Sequence, residues 1–437
     1  MTWGLVFRVR QYLKGSLWVI PLVGGFTGVL LAVALADVHA VVTLPVGWQY
    51  SAGTAQAVLA SVVGAAVGLT GFVVTVSVLV VQMATGTFSA RYMRLFYRDA
   101  VLKSVLAVLI GTFTFSFGLL RRVEQDSVPN LGVTVAGFLM GTGLLLFVIF
   151  LDRFVRRLRP VAVASLVAAA GRRAFREVVA QASGDEALDV VPAPFEVPGA
   201  PDLVVRAAHG GAIQAVDLRG LVAWARTHDC VVVVRHPIGD FVPAGAAVIE
   251  VYGKAAEDAL AAERRLGAMI ALGVERTIEQ DPAFAIRIMV DIAVRALSPA
   301  VNDPTTAVQV IDHLEDLLGL LGKSGPAAPT ERSREATTRG VVIPIRSWDD
   351  YMTLGLTEIR EYGGASIQVM RRLRAMLEEL HASVHPDHRG AVDDQLVRLD
   401  AWVAARWRDS PDLDLAARSD RQGIGGPGSL APPPAVR

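Results

Sequence analysis

The densest concentration of groups able to do chemistry runs from Glu275 to Ala307. Glu275, Arg276, Thr277, Gln280 and Asp281 come first, and Asp291, Arg295, Ser298, Asn302, Asp303 and Thr305 follow. Carboxylates, hydroxyls and guanidinium groups spaced this closely suit a small ligand, a metal or a regulatory site, with helix N-termini adding N–H donors. The pairs Asp281-Pro282 and Asp303-Pro304 also have a plainer cause. Asp accepts from the free N–H groups at a helix start, and Pro fits the first helical position. Arg287, Asp291 and Arg295 then form a plus–minus–plus row at a spacing of four, beside an apolar face of Phe284, Ile288 and Ile292. A helix from Pro282 to Leu297 rises roughly 24 Å, so Asp281 and Asp303 cannot share one end of it. The expectation is two candidate ligand-binding or regulatory subsites: Glu275, Arg276, Thr277 and Asp281 at one end, and Arg295, Asn302 and Asp303 at the other, with Asp291 between. The second is the better placed, because an Arg near a helix C-terminus meets a fresh N-terminus there. The competing reading, caps plus an ion-pair ladder, explains the same residues.

No catalytic set accompanies these groups. The chain has no Ser-His-Asp order, P-loop, GxGxxG or HExxH pattern, so neither an enzyme nor a cofactor is expected. His381, His385, Asp387 and His388 resemble a metal cluster, but Pro386 interrupts the helix and His suits helix C-termini, so no metal site is assigned. The single cysteine, Cys230, excludes a disulfide scaffold.

The elements that must carry these residues divide by composition. Of 437 residues, 52% are hydrophobic and only 19% charged, with a mean hydropathy of +0.44. Average soluble chains carry about 25% charged residues, so a membrane protein is indicated. The net charge is zero, yet Lys and Arg predominate before residue 160 and Asp and Glu after it. Charge-free stretches separate Lys14 from Asp37, Asp37 from Arg91, Lys103 from Arg121, and Asp126 from Asp152. A span needs about 20 apolar residues. Four are predicted, near 17–36, 56–83, 101–120 and 130–151, making 1–160 an α-helical membrane domain. Arg8, Arg10 and Lys14, then Arg91 to Lys103, then Arg153 to Arg159 flank the same side. The positive-inside rule puts both termini, and everything after residue 152, in the cytoplasm.

Two membrane features invite a functional reading. Gly64, Gly68, Gly71, Thr75 and Gln82 fall on one helical stripe of the second span. Such a stripe is either a helix-packing seam or a wetted face lining a pore. Arg91, Arg94 and Arg98 share one face of a segment with Tyr92, Met93 and Phe96 off it, as in a short helix lying in the bilayer interface, or as in ordinary positive-inside flanking.

The cytosolic half reads as α+β and mainly helical. A juxtamembrane helix and a Pro-rich linker occupy 161–201, a small α+β module 202–252, a helical domain 253–408 and a disordered tail 409–437. Strands are expected near 203–207, 212–216, 230–235 and 247–251, with a Gly239-Asp240-Phe241-Val242 turn before the last. Residues 348–380 read as helical throughout.

Several of these strings resemble one family. Glu275-Arg-Thr, Gln280-Asp-Pro-x-Phe284, Asp291-Ile-Ala-x-Arg-Ala-Leu-Ser-Pro299 and Asn302-Asp-Pro-x-Thr-Ala307 are similar to a bacterial family of predicted membrane proteins known only as a domain of unknown function. Val80-Val-Gln82 to Phe88-Ser-x-Arg91 and the Gly239–Val242 turn share the resemblance, which covers about residues 10–410. It implies a four-span membrane domain plus a cytosolic domain and transfers no activity. The expected function is a channel-like or permeation protein regulated by its cytosolic domain. The alternative is a membrane-anchored sensor or scaffold that binds a small ligand or a protein. Expected partners are the lipid bilayer and further copies of the chain, and no nucleic acid.

Overall fold

The computed structural model describes residues 3–38, 45, 48–87, 99–125, 127–157, 159–182, 190–193, 199–253, 258–324 and 340–424. The chain divides into two compact units: residues 10–159, and residues 160–437 together with 1–9.

The first unit is helical. After α1 (Trp3–Gly15) come α2 (Val19–Val38), α3 (Ala52–Thr87), α4 (Ala100–Leu120) and α5 (Asn130–Arg157). Three of these are long and apolar enough to cross a membrane: α3 over Ala52–Leu79, α4, and α5 over Asn130–Phe154. The α1–α2 pair makes a fourth candidate, bent by 79° at its break. Three of the predicted spans lie inside observed helices with shifted ends, and the first, 17–36, begins in the break before α2. At 36 residues α3 rises roughly 54 Å, well beyond a hydrocarbon core of about 30 Å. The start of α4 is fixed by Asp99, whose Oδ1 accepts from the amides of Val101 and Leu102 at 2.6 and 3.2 Å.

α4 is the central helix, and α2, α3 and α5 all pack against it. It meets α2 along a seam of small residues. A Cβ added at Gly24 would sit 2.4 Å from the Ala107 carbonyl oxygen, and one at Gly28 would sit 2.3 Å from that of Gly111. One turn on, Ala32 packs on Gly118. Thr114 Oγ1 crosses the seam to donate to the Gly25 carbonyl at 2.8 Å. This backbone-to-backbone approach is what a small-x-x-x-small pattern permits in lipid.

The second unit joins a mixed α/β layer to a helical bundle. Its strands are β1 (Val190–Ala193), β2 (Leu203–Arg206), β3 (Gly211–Val216), β4 (Cys230–Val234), β5 (Phe241–Val242), β6 (Ala247–Gly253), β7 (Ile270–Gly273) and β8 (Val341–Pro344). One sheet has the order β1-β8-β4-β6-β2, and a smaller one has β5-β3-β7. β8 runs parallel to both β1 and β4, while the β4–β6 and β6–β2 pairs are antiparallel. Val205, Ile213, Val232, Val234, Ile249, Val251 and Val341 belong to one core with Leu221 and Trp224 of α7 (Leu218–His228) and Leu266 of α8 (Ala259–Gly267). The sheet therefore extends past the expected module of 202–252 on both sides. β1 falls within the Pro-rich linker expected to lack regular structure. It is an edge strand, where Pro192 costs no central ladder bond.

The helices are α6 (Pro160–Ala182), α9 (Pro282–Ala296), α10 (Pro304–Lys323), α11 (Trp348–Gly363), α12 (Ile367–Ser383), α13 (Arg389–Arg406) and the short α14 (Leu413–Ala416). Gly171 of α6 lets that helix close on α9 and α10, since a Cβ there would meet Ala285 at 2.8 Å and Leu317 at 3.0 Å. The single helix expected over 348–380 is two. Ser366 caps the second, accepting from the Val369 amide, and Trp402 fills the space beside Gly364.

The tail expected from residue 409 begins too early, because residues up to 424 fold onto the bundle. Arg371 is fully buried, its Nη2 3.8 Å from Asp420 Oδ2 and its Nε donating to the Arg418 carbonyl at 3.3 Å. Asp420 is 3% exposed, and its Oδ1 accepts from the amides of Gln422 and Gly423 at 3.0 and 3.1 Å. A composition rich in small and polar residues resembles disorder, but the buried Arg371–Asp420 pair, the buried Ala416 and the bond from Gln368 Nε2 to the Gly423 carbonyl hold this segment.

Candidate functional site

The β7–α9 loop holds the first group of candidate residues, and most of its polar atoms are stitched to β3. Gln214 Nε2 donates to the Glu275 carbonyl at 2.7 Å, and Thr277 Oγ1 donates to the Gln214 carbonyl at 3.2 Å. The Gln280 amide copies a strand: its Oε1 accepts from the Val216 amide at 2.9 Å and its Nε2 donates to the Val216 carbonyl at 3.3 Å. Asp281 caps α9 as expected, with Oδ1 accepting from the Phe284 amide at 3.2 Å.

Asp281 is also more than a cap. It is 4% exposed, and its second oxygen, Oδ2, is buried with no hydrogen-bond partner among the described residues. That oxygen faces Gly239, whose φ of +96° suits glycine and where a Cβ would sit 2.5 Å away. Burial lifts the Asp281 carboxyl from 3.8 to about 6, against the pull of Arg346, the Phe284 amide and Arg276. Burial and the nearby Asp281 charge together push the Tyr351 hydroxyl above its ordinary value. The centre is thus built from the Gly239 turn, the Arg276–Asp281 loop, Arg346 after β8 and Tyr351 in the first turn of α11. It can hold or release a proton near neutral pH between two guanidinium groups.

A folded-state pKa above the unfolded one means that the folded form binds the Asp281 proton more tightly. Its contribution to stability is complete below about pH 4 and is lost as pH rises through about 6. Asp281→Asn keeps an acceptor for the cap and removes the buried charge. At pH 7 it should unfold less readily than the parent, by on the order of 3 kcal/mol at one pKa unit per 1.36 kcal/mol, with the two converging in acid. Denaturant titrations across that range would measure it, and parallel pH profiles would sink the expectation.

The second group lies at the far end of α9. Asn302 has a φ of +47°, and its amide donates to the Ser298 carbonyl at 2.8 Å. Asp303 accepts from the Thr306 amide at 3.0 Å and from the Thr306 hydroxyl at 2.6 Å, while its own amide donates to the Ala296 carbonyl at 2.7 Å. These bonds turn the chain from α9 into α10. Ser298 Oγ donates to the Arg295 carbonyl at 2.7 Å. In the charged row, Arg287 lies 2.5 Å from Asp291 and also grips Glu358 of α11, with Nη2 2.7 Å from Oε2. The structure keeps the two groups at opposite ends of α9, and Asp291 belongs to an ion pair facing α11.

The remaining candidates fall elsewhere. His381 Nδ1 lies 2.8 Å from Asp393, and His388 sits on the Gly322 carbonyl at 2.9 Å, stacked on Trp348. Cys230 is buried, and burial followed by the Asp229 charge raises its thiol to about 12. Arg91, Arg94 and Arg98 lie outside the described residues. On α3, Gly64, Gly68, Gly71, Thr75 and Gln82 are exposed, and a Cβ at any of the three glycines meets nothing within 4 Å. Thr75 Oγ1 donates within its own helix, to the Gly71 carbonyl at 2.9 Å. The buried face of α3 is the opposite one, with Ala55, Leu59, Val62, Ala66 and Val73. Among the described residues nothing packs on the glycines of the stripe, and the seam of the described bundle lies on the other face of α3.

Two open apolar grooves mark the membrane unit. One, of about 550 Å³, is lined by Tyr50, Val58, Thr134, Gly137 and Gly141 beside the stacked pair Trp48–Phe138. The other, of about 460 Å³, lies among Leu17, Trp18, Pro21, Val74, Ser77 and Leu106.

Over residues 14–379 the chain matches the family described as predicted membrane protein, DUF2254. An uncharacterized protein of Mycobacterium tuberculosis is 28% identical over 452 residues, spanning 98% of this chain and 84% of that protein. An uncharacterized protein of Mycobacterium bovis is similar to the same extent. No solved structure matches the chain. The resemblance carried by the Glu275–Ala307 strings holds across most of the sequence: the chain belongs to the DUF2254 family of predicted membrane proteins.

Proposed function

We propose that this is a four-span protein of the bacterial cytoplasmic membrane, with α2, α3, α4 and α5 as the spans and both termini and all residues after 152 in the cytoplasm. Several copies surround a channel-like permeation path, and the cytosolic domain regulates it. The observation that carries this reading is the α3 stripe. Gly64, Gly68, Gly71 and Thr75 point away from their own bundle with open space around them. A charge-free helix with small, weakly polar residues on its unpartnered face suits a shared axis between copies. The basic flanks of the spans support the orientation.

The test is reconstitution of the full chain in liposomes, with cysteine placed at Gly68. Cross-linking between copies, together with ion or solute flux that the same cross-link alters, is the expected result. Copies that never cross-link, with no flux under voltage, tension or a pH step, would overturn it.

A sensor without a pore is the second reading, favoured by Asp281. Its buried carboxylate, between Arg276 and Arg346, would report pH or the arrival of a hydrogen-bond donor. Under that reading Asp281→Asn shifts the pH response of the cytosolic domain while flux stays absent throughout.

A further inference from the structure

The first helix carries an apolar face that the described residues leave uncovered. Leu5, Val6, Val9, Tyr12 and Leu13 are between 41% and 59% exposed. At 100° per residue they form one continuous stripe, with Leu5, Val9, Tyr12 and Leu13 at i, i+4, i+7 and i+8. Arg8 borders the stripe on one side and Arg10 on the other, and Lys14 lies across the helix from it. Gly4, on the opposite face, is buried. The helix contains no acidic residue.

Its direction is set by the structure. α1 and α2 meet at 79° across residues 16–18. Lys103 of α4, only 3% exposed, fixes that bend: its Nζ donates to the Lys14 carbonyl at 2.6 Å and to the Leu13 carbonyl at 3.3 Å. A cation on the last carbonyls of a helix satisfies acceptors that would otherwise lack donors and complements the helix dipole. α2 has 20 residues and rises roughly 30 Å, enough to cross the hydrocarbon core without α1. A helix at nearly a right angle to such a span runs close to the membrane plane. At the junction, Tyr12 and Trp18 meet edge to face at 6.4 Å, the residue types that collect at the water–lipid boundary. Just past it, Leu17, Trp18 and Pro21 line the 460 Å³ groove, whose Thr70 and Ser77 hydroxyls already donate to carbonyls of their own helix. That groove presents a surface suited to acyl chains.

We infer that α1 lies in the cytoplasmic interface of the bilayer, with its Leu5–Val9–Tyr12–Leu13 stripe among the upper acyl chains and the bordering Arg8 and Arg10 against the phosphates of anionic phospholipids. Amphipathic helices with a basic border bind this way, through buried apolar area plus attraction to anionic headgroups. The inference rests on α2 being a span, as proposed above, and goes beyond it by assigning α1 a lipid surface as its partner.

The test uses the full chain in vesicles of phosphatidylethanolamine and phosphatidylglycerol, with a nitroxide label at Val9, Leu13, Gln11 or Leu30 in separate cysteine variants. Leu30, inside α2, reports the span independently, so failure of the topology shows there and failure of the inference shows at α1. The expected result is a ratio of oxygen to nickel-chelate accessibility several-fold higher at Val9 and Leu13 than at Gln11. Changing Arg8 and Arg10 together to Gln should lower that ratio in anionic vesicles towards its value in phosphatidylcholine alone. Equal ratios at Val9, Leu13 and Gln11 would overturn the inference. So would labels shielded from both reagents, which would mean that protein covers the stripe, and a depth indifferent to anionic lipid in parent and variant alike.

Discussion

Gly28→Leu should separate α2 from α4 and leave little folded membrane unit. Even the Cβ of alanine would stand 2.3 Å from both the Gly111 carbonyl oxygen and Thr114 Oγ1, and the first of these is backbone that cannot swing aside. Overpacking a close-packed interior costs typically about 1–3 kcal/mol, and a backbone collision at the tightest point of a helix pair belongs at or above the upper end. The helices must move apart, which breaks the Thr114–Gly25 bond and opens the Gly24–Ala107 and Ala32–Gly118 approaches together. Gly64→Ala and Gly68→Ala are the controls, because nothing lies within 4 Å of either new methyl. Unfolding of the detergent-solubilised chain should show Gly28→Ala destabilised and the α3 variants close to the parent. The reverse order would mean that the seam has been placed on the wrong helix.

A comparable loss is expected at the other end of the sequence. Asp420→Ala leaves the fully buried guanidinium of Arg371 without that carboxylate and strips the Gln422 and Gly423 amides of their acceptor. Breaking a buried charge pair from one side costs about 3–5 kcal/mol, whereas replacing both partners with apolar groups of similar size can be neutral or even favourable. The double variant Arg371→Met, Asp420→Leu should therefore be more stable than Asp420→Ala alone. A chain ending at residue 409 should behave like Asp420→Ala. Calorimetric or denaturant unfolding of the three chains would decide, and a truncated chain as stable as the parent would show the strap to be dispensable.

The contrast between these two regions and the rest explains how far the sequence could be read. Long charge-free runs are a one-dimensional signal, so the membrane helices were legible almost to their ends. Asp-Pro caps are equally local, and Asp281 and Asp303 sit where the sequence puts them. Glycine spacing was legible but ambiguous. Gly64-x-x-x-Gly68 and Gly24-x-x-x-Gly28 look alike on paper, and only the packed structure shows that the second closes on another helix. The site around Asp281 was half legible. Arg276 and Asp281 belong to one loop, but Arg346 and Tyr351 arrive from about 70 residues downstream and Gly239 from about 40 upstream. Nothing in the spacing of residues joins a turn to a loop across a sheet. The same limit hid Glu358, which completes the Arg287–Asp291 row from another helix, and Asp420, whose burial contradicts the composition around it.

One consequence follows from β8, which enters the five-stranded sheet between β1 and β4. Val232 finds its partner Val341 only after roughly 110 further residues have been made, and Val190 finds the same residue only after roughly 150. At about 5–20 residues per second, the β4 edge and the whole of β1 wait several seconds with an unfilled hydrogen-bonding ladder. During that interval the newborn chain presents the apolar, β-branched run Cys230–Val234 as an open edge, a template for pairing with other chains. Ribosome-bound chains halted shortly after Lys323 should therefore be protease-sensitive and prone to associate, while chains halted well past the end of α12 should not be. Closure of the sheet is a late, long-range event, and expression of this protein should depend on chaperones that cover strand edges during synthesis.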